Sequence, residues 1–166
     1  MTATLRFFFL LALAAWLGGL LFFGVVAYVS FTVLPTTHLA GLVVGGSLRH
    51  LHILGLVCGV ILVVTQLLLG PQGRKRAFAA SLALIAIMLA LTVVSQFAII
   101  PSMDRHRAAA LAGAAPDAEL DSVPRGNSDR TAFDRLHNIS TWVEQGVIFC
   151  GVVLLSLAAL PPRRDA

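Results

Sequence analysis

The sequence predicts an all-α membrane protein, a four-helix transmembrane bundle, and three observations lead there. Hydrophobic residues make up 58% of the 166-residue chain and charged residues only 12%, against roughly 25% charged in a soluble domain. So few charges cannot cover the apolar surface of a water-soluble fold of this size, so lipid must act as solvent. The apolar residues also fall into four long runs, each sufficient for the roughly 20 helical residues that cross a bilayer core. Finally, Pro, Gly and basic residues gather at the breaks between runs. A single membrane unit over residues 1–166 is the expected organisation.

The first span covers about residues 7–34, contains no Asp, Glu, Lys or Arg, and ends at Pro35. Arg6 ahead of an apolar stretch also fits a cleaved signal peptide. The stretch is too long for a typical h-region, however, and lacks a polar cleavage zone. Thr36 or Thr37 is positioned to cap the next helical segment. Gly45-Gly46 then interrupts the pattern, so a short interfacial segment is expected between the first two helices. An extension of the second helix fits residues 38–47 equally well.

The second span, about 48–69, stops at Gly70-Pro71. The third, about 77–100, meets Pro101. From Met103 to Thr131 the chain is polar, forming the one long connection and the expected mobile part. Ser128, followed by Asp129, is the expected N-cap of the fourth helix. That helix runs through Phe133, with its span at about 136–160, and stops at Pro161-Pro162.

The net charge is +4, yet Arg74-Lys75-Arg76 and Arg163-Arg164 stand at the ends of apolar runs. That is the pattern of cytoplasmic loops, and it argues against nucleic acid. Arg6, Arg74, Lys75, Arg76, Arg163 and Arg164 share one side. Arg49, Arg105, Arg107, Arg125, Arg130 and Arg135 share the other. The counts tie, and the cluster in the tight second loop decides for cytoplasmic termini, in a bacterial inner membrane. Cys58 and Cys150 lie in apolar runs without a CxxC spacing and read as inert buried thiols.

Small residues suggest how the helices meet. Gly55 and Gly59 form a GxxxG pair, Gly18 and Gly19 with Ala15 mark the first helix, and Ala79, Ala83, Ala86 and Ala90 stripe the third. Such faces allow close backbone approach in lipid. Gln66 and Gln96 lie within spans and are expected to hydrogen-bond between helices. Thr92 and Ser95 are expected to bond back to their own helix.

Candidate chemistry gathers at one end. His38, His50, His52, His106 and His137 all fall on the side opposite the termini, with Met103 and Asp104 at the same level. His50 and His52 are two residues apart and cannot share a helix face. His52 lies on the face of Gly55 and Gly59 and is expected to point inward, while His50 snorkels. Asp134, His137, Thr141 and Glu144 recur at helical spacing as one polar stripe. Glu144 is the only carboxylate inside a span, which makes it a functional candidate. The competing reading is a protonated, hydrogen-bonded packing residue.

His52, Met103, His106 and His137 form the candidate metal set, with Glu144 tuning it or carrying a proton. Imidazole with thioether suits copper, and imidazole with carboxylate suits zinc. Paired His, or His with Met, could hold a haem between helices. No HExxH, CxxCH or His-rich tract is present, so histidines merely satisfied at the interface are the alternative. Soluble-enzyme chemistry is not supported: Gly18-Gly19 and Gly45-Gly46 lack a phosphate-loop Lys, and no nucleophile elbow occurs.

Several segments also resemble a known family. Trp16-Leu17-Gly18-Gly19, Phe22-Phe23-Gly24 and Pro35 look like the first helix of bacterial proteins carrying domain of unknown function 4149, relatives of transmembrane protein 205. The similarity continues in Gly41-Leu42-Val43-Val44-Gly45, in His52 to Gly59, in Gln96 to Met103 and in Phe133 to Ser140, touching all four spans. The resemblance implies a four-helix membrane protein of undefined activity, and more distantly a likeness to copper-resistance protein D and to haem-pathway membrane proteins. It supplies no ligand set. Related chains often carry Tyr at the position of His52 and Asn near Glu144. Three functions are the expectations: a copper- or haem-binding membrane protein, an accessory or assembly subunit of a larger complex, and a small transporter acting as an oligomer.

Overall fold

The computed structural model describes residues 2–71, 74–113 and 118–159. Helix α1 runs over Thr2–Val33, α2 over Thr37–Leu69, α3 over Lys75–Val94, α4 over Ile100–Ala110 and α5 over Ser128–Ala159. A π-helical turn, Ser95–Ile99, joins α3 to α4 without a break. The result is four helices long and apolar enough to cross a membrane, with α3 and α4 forming one of them. This is an all-helical integral membrane protein. Arg163, Arg164 and the expected stop at Pro161-Pro162 lie outside the described residues.

Two expected breaks are helical instead. Residues 37–47 are the first turns of α2, not a separate interfacial segment. Gly45 and Gly46 do not interrupt it, because a glycine only weakens a helix whose backbone bonds remain intact. Thr36 caps α2, its hydroxyl accepting from the Leu39 amide at 3.1 Å. At the other end Gly70 adopts φ +65° and its amide reaches back to Gln66 and Leu67. A left-handed backbone here favours glycine.

Pro101 does not end the third span. It lacks an N–H and crowds the preceding turn. The π turn immediately upstream absorbs this mismatch: the Ile100 amide bonds to the Ser95 carbonyl, five residues back. The helix then continues ten residues beyond Ile100, to Ala110. Part of the expected polar connection is therefore helix.

Within that connection, the described residues 118–127 are tied down. The Arg130 guanidinium, 9% exposed as a residue, donates to the carbonyls of Leu120 at 2.8 Å, Asp121 at 3.0 Å and also Val123. The Thr37 hydroxyl lies 3.0 Å from carboxylate oxygens of both Glu119 and Asp121. Asn127, rather than Ser128, caps α5: its side-chain oxygen accepts from the amides of Asp129 and Arg130 at 2.9 and 3.0 Å. The cap is the residue whose side chain reaches the amides two and three positions on, and here that is Asn127.

The helices pack in a ring, α1 on α2, α2 on α3, α3 and α4 on α5, and α5 back on α1. Trp16 is the largest fully buried side chain. A Cβ at Gly55 would lie 2.5 Å from the Trp16 indole nitrogen, and one at Gly59 would meet Leu89 at 2.3 Å and Trp16 at 3.1 Å. These glycines form the slot that admits the indole. Leu13, Leu62, Ile85, Met88, Val147 and Leu154 complete the centre. Gly19 faces Leu51, whereas Gly18 has open space beside it. Ala15 and the Ala79, Ala83, Ala86 and Ala90 stripe are exposed as well. On α3 the inward residues are Ser81, Ile85, Met88 and Thr92, so the alanine face points away from this bundle.

Candidate functional site

His52 sits on the inward face of α2, 1% exposed, about 25 Å along the helix from Leu69. Its two ring nitrogens are both engaged. Nε2 lies 2.8 Å from Oε1 of Glu144 on α5, and Nδ1 lies 3.0 Å from Oε1 of Gln96 in the π turn. The Ser95 hydroxyl donates to the same Glu144 oxygen at 3.2 Å. Four polar side chains from three of the spans thus meet inside an otherwise apolar bundle.

Each arrives there for a local reason. The Gly55–Trp16 contact draws α2 against α1 and turns the His52 face inward. The π turn sets consecutive residues Ser95 and Gln96 toward the centre, as π turns at functional sites often do. Glu144 belongs to the inward row of α5, which also carries Ser140, Val147, Gly151 and Leu154. The Ser95 contact runs across the bundle and not back to its own helix, contrary to the expectation from its sequence position.

The pair is unevenly satisfied. The Glu144 side chain is 13% exposed and that of His52 is 2% exposed. Oε1 of Glu144 accepts two contacts, while the buried Oε2 has no hydrogen-bond partner among the described residues. An unsatisfied carboxylate oxygen in a low-dielectric surrounding is costly. Gln96 fits either proton count on the ring. With its oxygen toward Nδ1 it accepts a proton from the ring; turned over, its NH2 donates to a bare Nδ1. The cluster can therefore gain or lose one proton while keeping its hydrogen bonds.

The remaining candidates lie elsewhere. His106 Nδ1 pairs with Asp129 at 2.8 Å, and His38 Nδ1 receives Arg107 at 2.5 Å. His50 bonds back to the Gly46 carbonyl at 2.9 Å. His137 is exposed and stacks on Phe133, with ring centroids 6.2 Å apart. Met103 is half-buried, and its neighbour Asp104 pairs with Arg49. Among the described residues, no three or more of His, Cys, Asp and Glu are grouped to hold a metal ion. Asp134 and Thr141 are also exposed, and Thr141 bonds its own helix at the His137 carbonyl. The stripe expected from sequence therefore divides, with Glu144 inside and the other three outside. Gln66 lines a separate cavity at the opposite end.

Trp142 and Tyr28 are 73% and 71% exposed. Exposed aromatics are favoured near membrane–water interfaces, but Tyr28 lies nine residues beyond Gly19, which packs on Leu51, so the two stand at different levels. Glu144 is two residues past Trp142, about 3 Å further along α5.

Comparison with known proteins gives one match. The family model described as domain of unknown function (DUF4149) matches residues 11–111, well over half of the chain. No curated protein matches, and no solved structure does. The remoter likeness to copper-resistance protein D is not shown.

Proposed function

The chain belongs to the domain of unknown function (DUF4149) family, which assigns no activity, and from that premise we propose that it is a proton-binding membrane protein. Its centre is the His52–Glu144 pair, and its class is small proton-coupled transport. The observation that carries this reading is the 2.8 Å contact between two buried ionisable side chains, one with an oxygen unpaired. An intramembrane carboxylate beside a histidine is the arrangement that proton relays employ. The Arg74-Lys75-Arg76 loop supports cytoplasmic termini in a bacterial inner membrane.

Nitrogen-15 spectra of His52 in lipid test the proposal. The ring signals should titrate with pH in a single step whose midpoint moves in Glu144→Gln. Ring signals that stay fixed over the pH range in which the protein remains folded would remove the proton reading.

Copper or haem binding finds less support. His52 would have to release one of Gln96 and Glu144 to serve as a ligand, and His106 and His137 are held in separate contacts. Metal analysis and an optical spectrum of purified protein test it directly.

A specific observation favours an added partner. The outward alanine face of α3 is suited to close approach of another helix, either a second copy of this chain or a subunit of a larger membrane complex.

A further inference from the structure

On the outer side of α5, Trp142, Gln145, Phe149, Val152 and Ser156 recur at alternating steps of three and four, and all five are exposed. That spacing is the seam along which one helix lies against another. The row falls within residues 139–159, 21 residues in which Glu144 is the only Asp, Glu, Lys or Arg. As helix the stretch is about 31 Å long, which matches a hydrocarbon core. Gln145 therefore carries an amide on an otherwise apolar, outward face. The exposed hydroxyls of the same helix satisfy themselves: Thr141 donates to the His137 carbonyl at 3.0 Å and Ser156 to the Val152 carbonyl at 2.9 Å. The Gln145 amide makes no hydrogen bond among the described residues. It offers two donors and an acceptor, and lipid tails can meet neither, so leaving it bare there is costly.

We propose that this face of α5 is the interface of a parallel homodimer in which Gln145 pairs with the same residue of a second copy. Two copies inserted under the same loop charges share one orientation, so a two-fold axis along the membrane normal brings identical levels together. A residue on the seam then meets its own counterpart. Glutamine suits that position because a carboxamide is self-complementary: each NH2 donates to the other's oxygen, closing two hydrogen bonds. Trp142 and Phe149, 73% and 68% exposed, supply apolar area on either side of the pair. One polar residue in such a seam also fixes its register. The interface does not rest on the proton reading, since Gln145 is exposed whereas its neighbour Glu144 meets His52 inside the bundle.

Full-length protein carrying donor or acceptor fluorophores is reconstituted in phosphatidylcholine vesicles, and energy transfer is followed as the protein-to-lipid ratio is varied. The expected result is a concentration-dependent dimer, weakened by about tenfold in Gln145→Leu. Leucine enlarges the apolar surface, so a contact held by apolar packing alone would not weaken. Energy transfer at background at every ratio overturns the proposal, and so does Gln145→Leu associating as tightly as wild type. A second reading locates the face. In a Cys150→Ser background, with Cys58 buried, Phe149→Cys should form a disulfide-linked dimer under mild oxidant and Ala83→Cys on α3 should not. Crosslinking through position 83 in place of 149 overturns the assignment in favour of the alanine face. A pure protein that stays monomeric, yet crosslinks through position 149 to a different chain in native membranes, overturns the second copy in favour of another subunit.

Discussion

Nε2 of His52 and Oε1 of Glu144 stand 2.8 Å apart, although the residues are 92 positions apart in the chain. The contact joins α2 to α5, which are not consecutive in the ring of helices. Removing one member leaves the other without its ionisable partner, held only by Gln96 or by Ser95. His52→Leu and Glu144→Leu should each destabilise the protein by about 3–5 kcal/mol. The double variant should lose much less than the sum, because neither residue is then left without its partner. Denaturant unfolding in detergent of all four proteins measures this cycle. Additive losses would mean that the two side chains do not act as a pair.

Trp16 fills the slot made by Gly55 and Gly59. Gly55→Ala places a methyl 2.5 Å from the indole nitrogen, so the ring or the helix must move. The expected cost is about 1–3 kcal/mol, seen as a lower unfolding midpoint. Gly18→Ala, with open space at its Cβ, should change stability by less than about 0.5 kcal/mol. The contrast separates packing glycines from those that merely share their spacing.

Much of this fold was legible in the sequence, since four long apolar runs leave few alternatives. The inward face of α2 was legible as well, because the glycine pair and His52 share one helical row. The π turn was not. Pro101 reads as a stop unless something upstream absorbs its missing amide, and no local signal in Ser95–Ile99 announces that. With the turn unseen, Ser95 and Gln96 could not be placed beside His52 and Glu144. The histidines misled for a related reason: a shared level in the membrane does not mean convergence, and His38, His50, His106 and His137 each found a different partner.

Arg130 binds three carbonyls of the connection before α5. Arg130→Gln should loosen residues 118–127 and destabilise the protein by about 2–3 kcal/mol, since hydrogen bonds from a charged donor are the stronger kind. Limited trypsin digestion checks this. Cleavage after Arg125 should become faster in the variant while cleavage at Arg76 stays unchanged.

The outward alanine face of α3 can be probed without disturbing the core. Ala83→Leu with Ala86→Leu should leave the unfolding midpoint within about 0.5 kcal/mol equivalent, because neither side chain faces the bundle interior. Association should weaken if a partner helix rests there. Chemical crosslinking in native membranes reads the second effect. A crosslinking pattern identical to wild type would place any partner on another face.

Proton exchange at the buried pair is read most directly by infrared difference spectra across pH, on protein reconstituted in lipid. Wild type and Glu144→Gln are compared under the same conditions. The expected result is a pH-dependent carboxyl band in the wild type that is absent from a folded Glu144→Gln, with the accompanying imidazole changes displaced to a different pH. Spectra in which wild type and variant show the same pH-dependent bands would overturn the proton reading, leaving His52 and Glu144 as a structural hydrogen bond between helices.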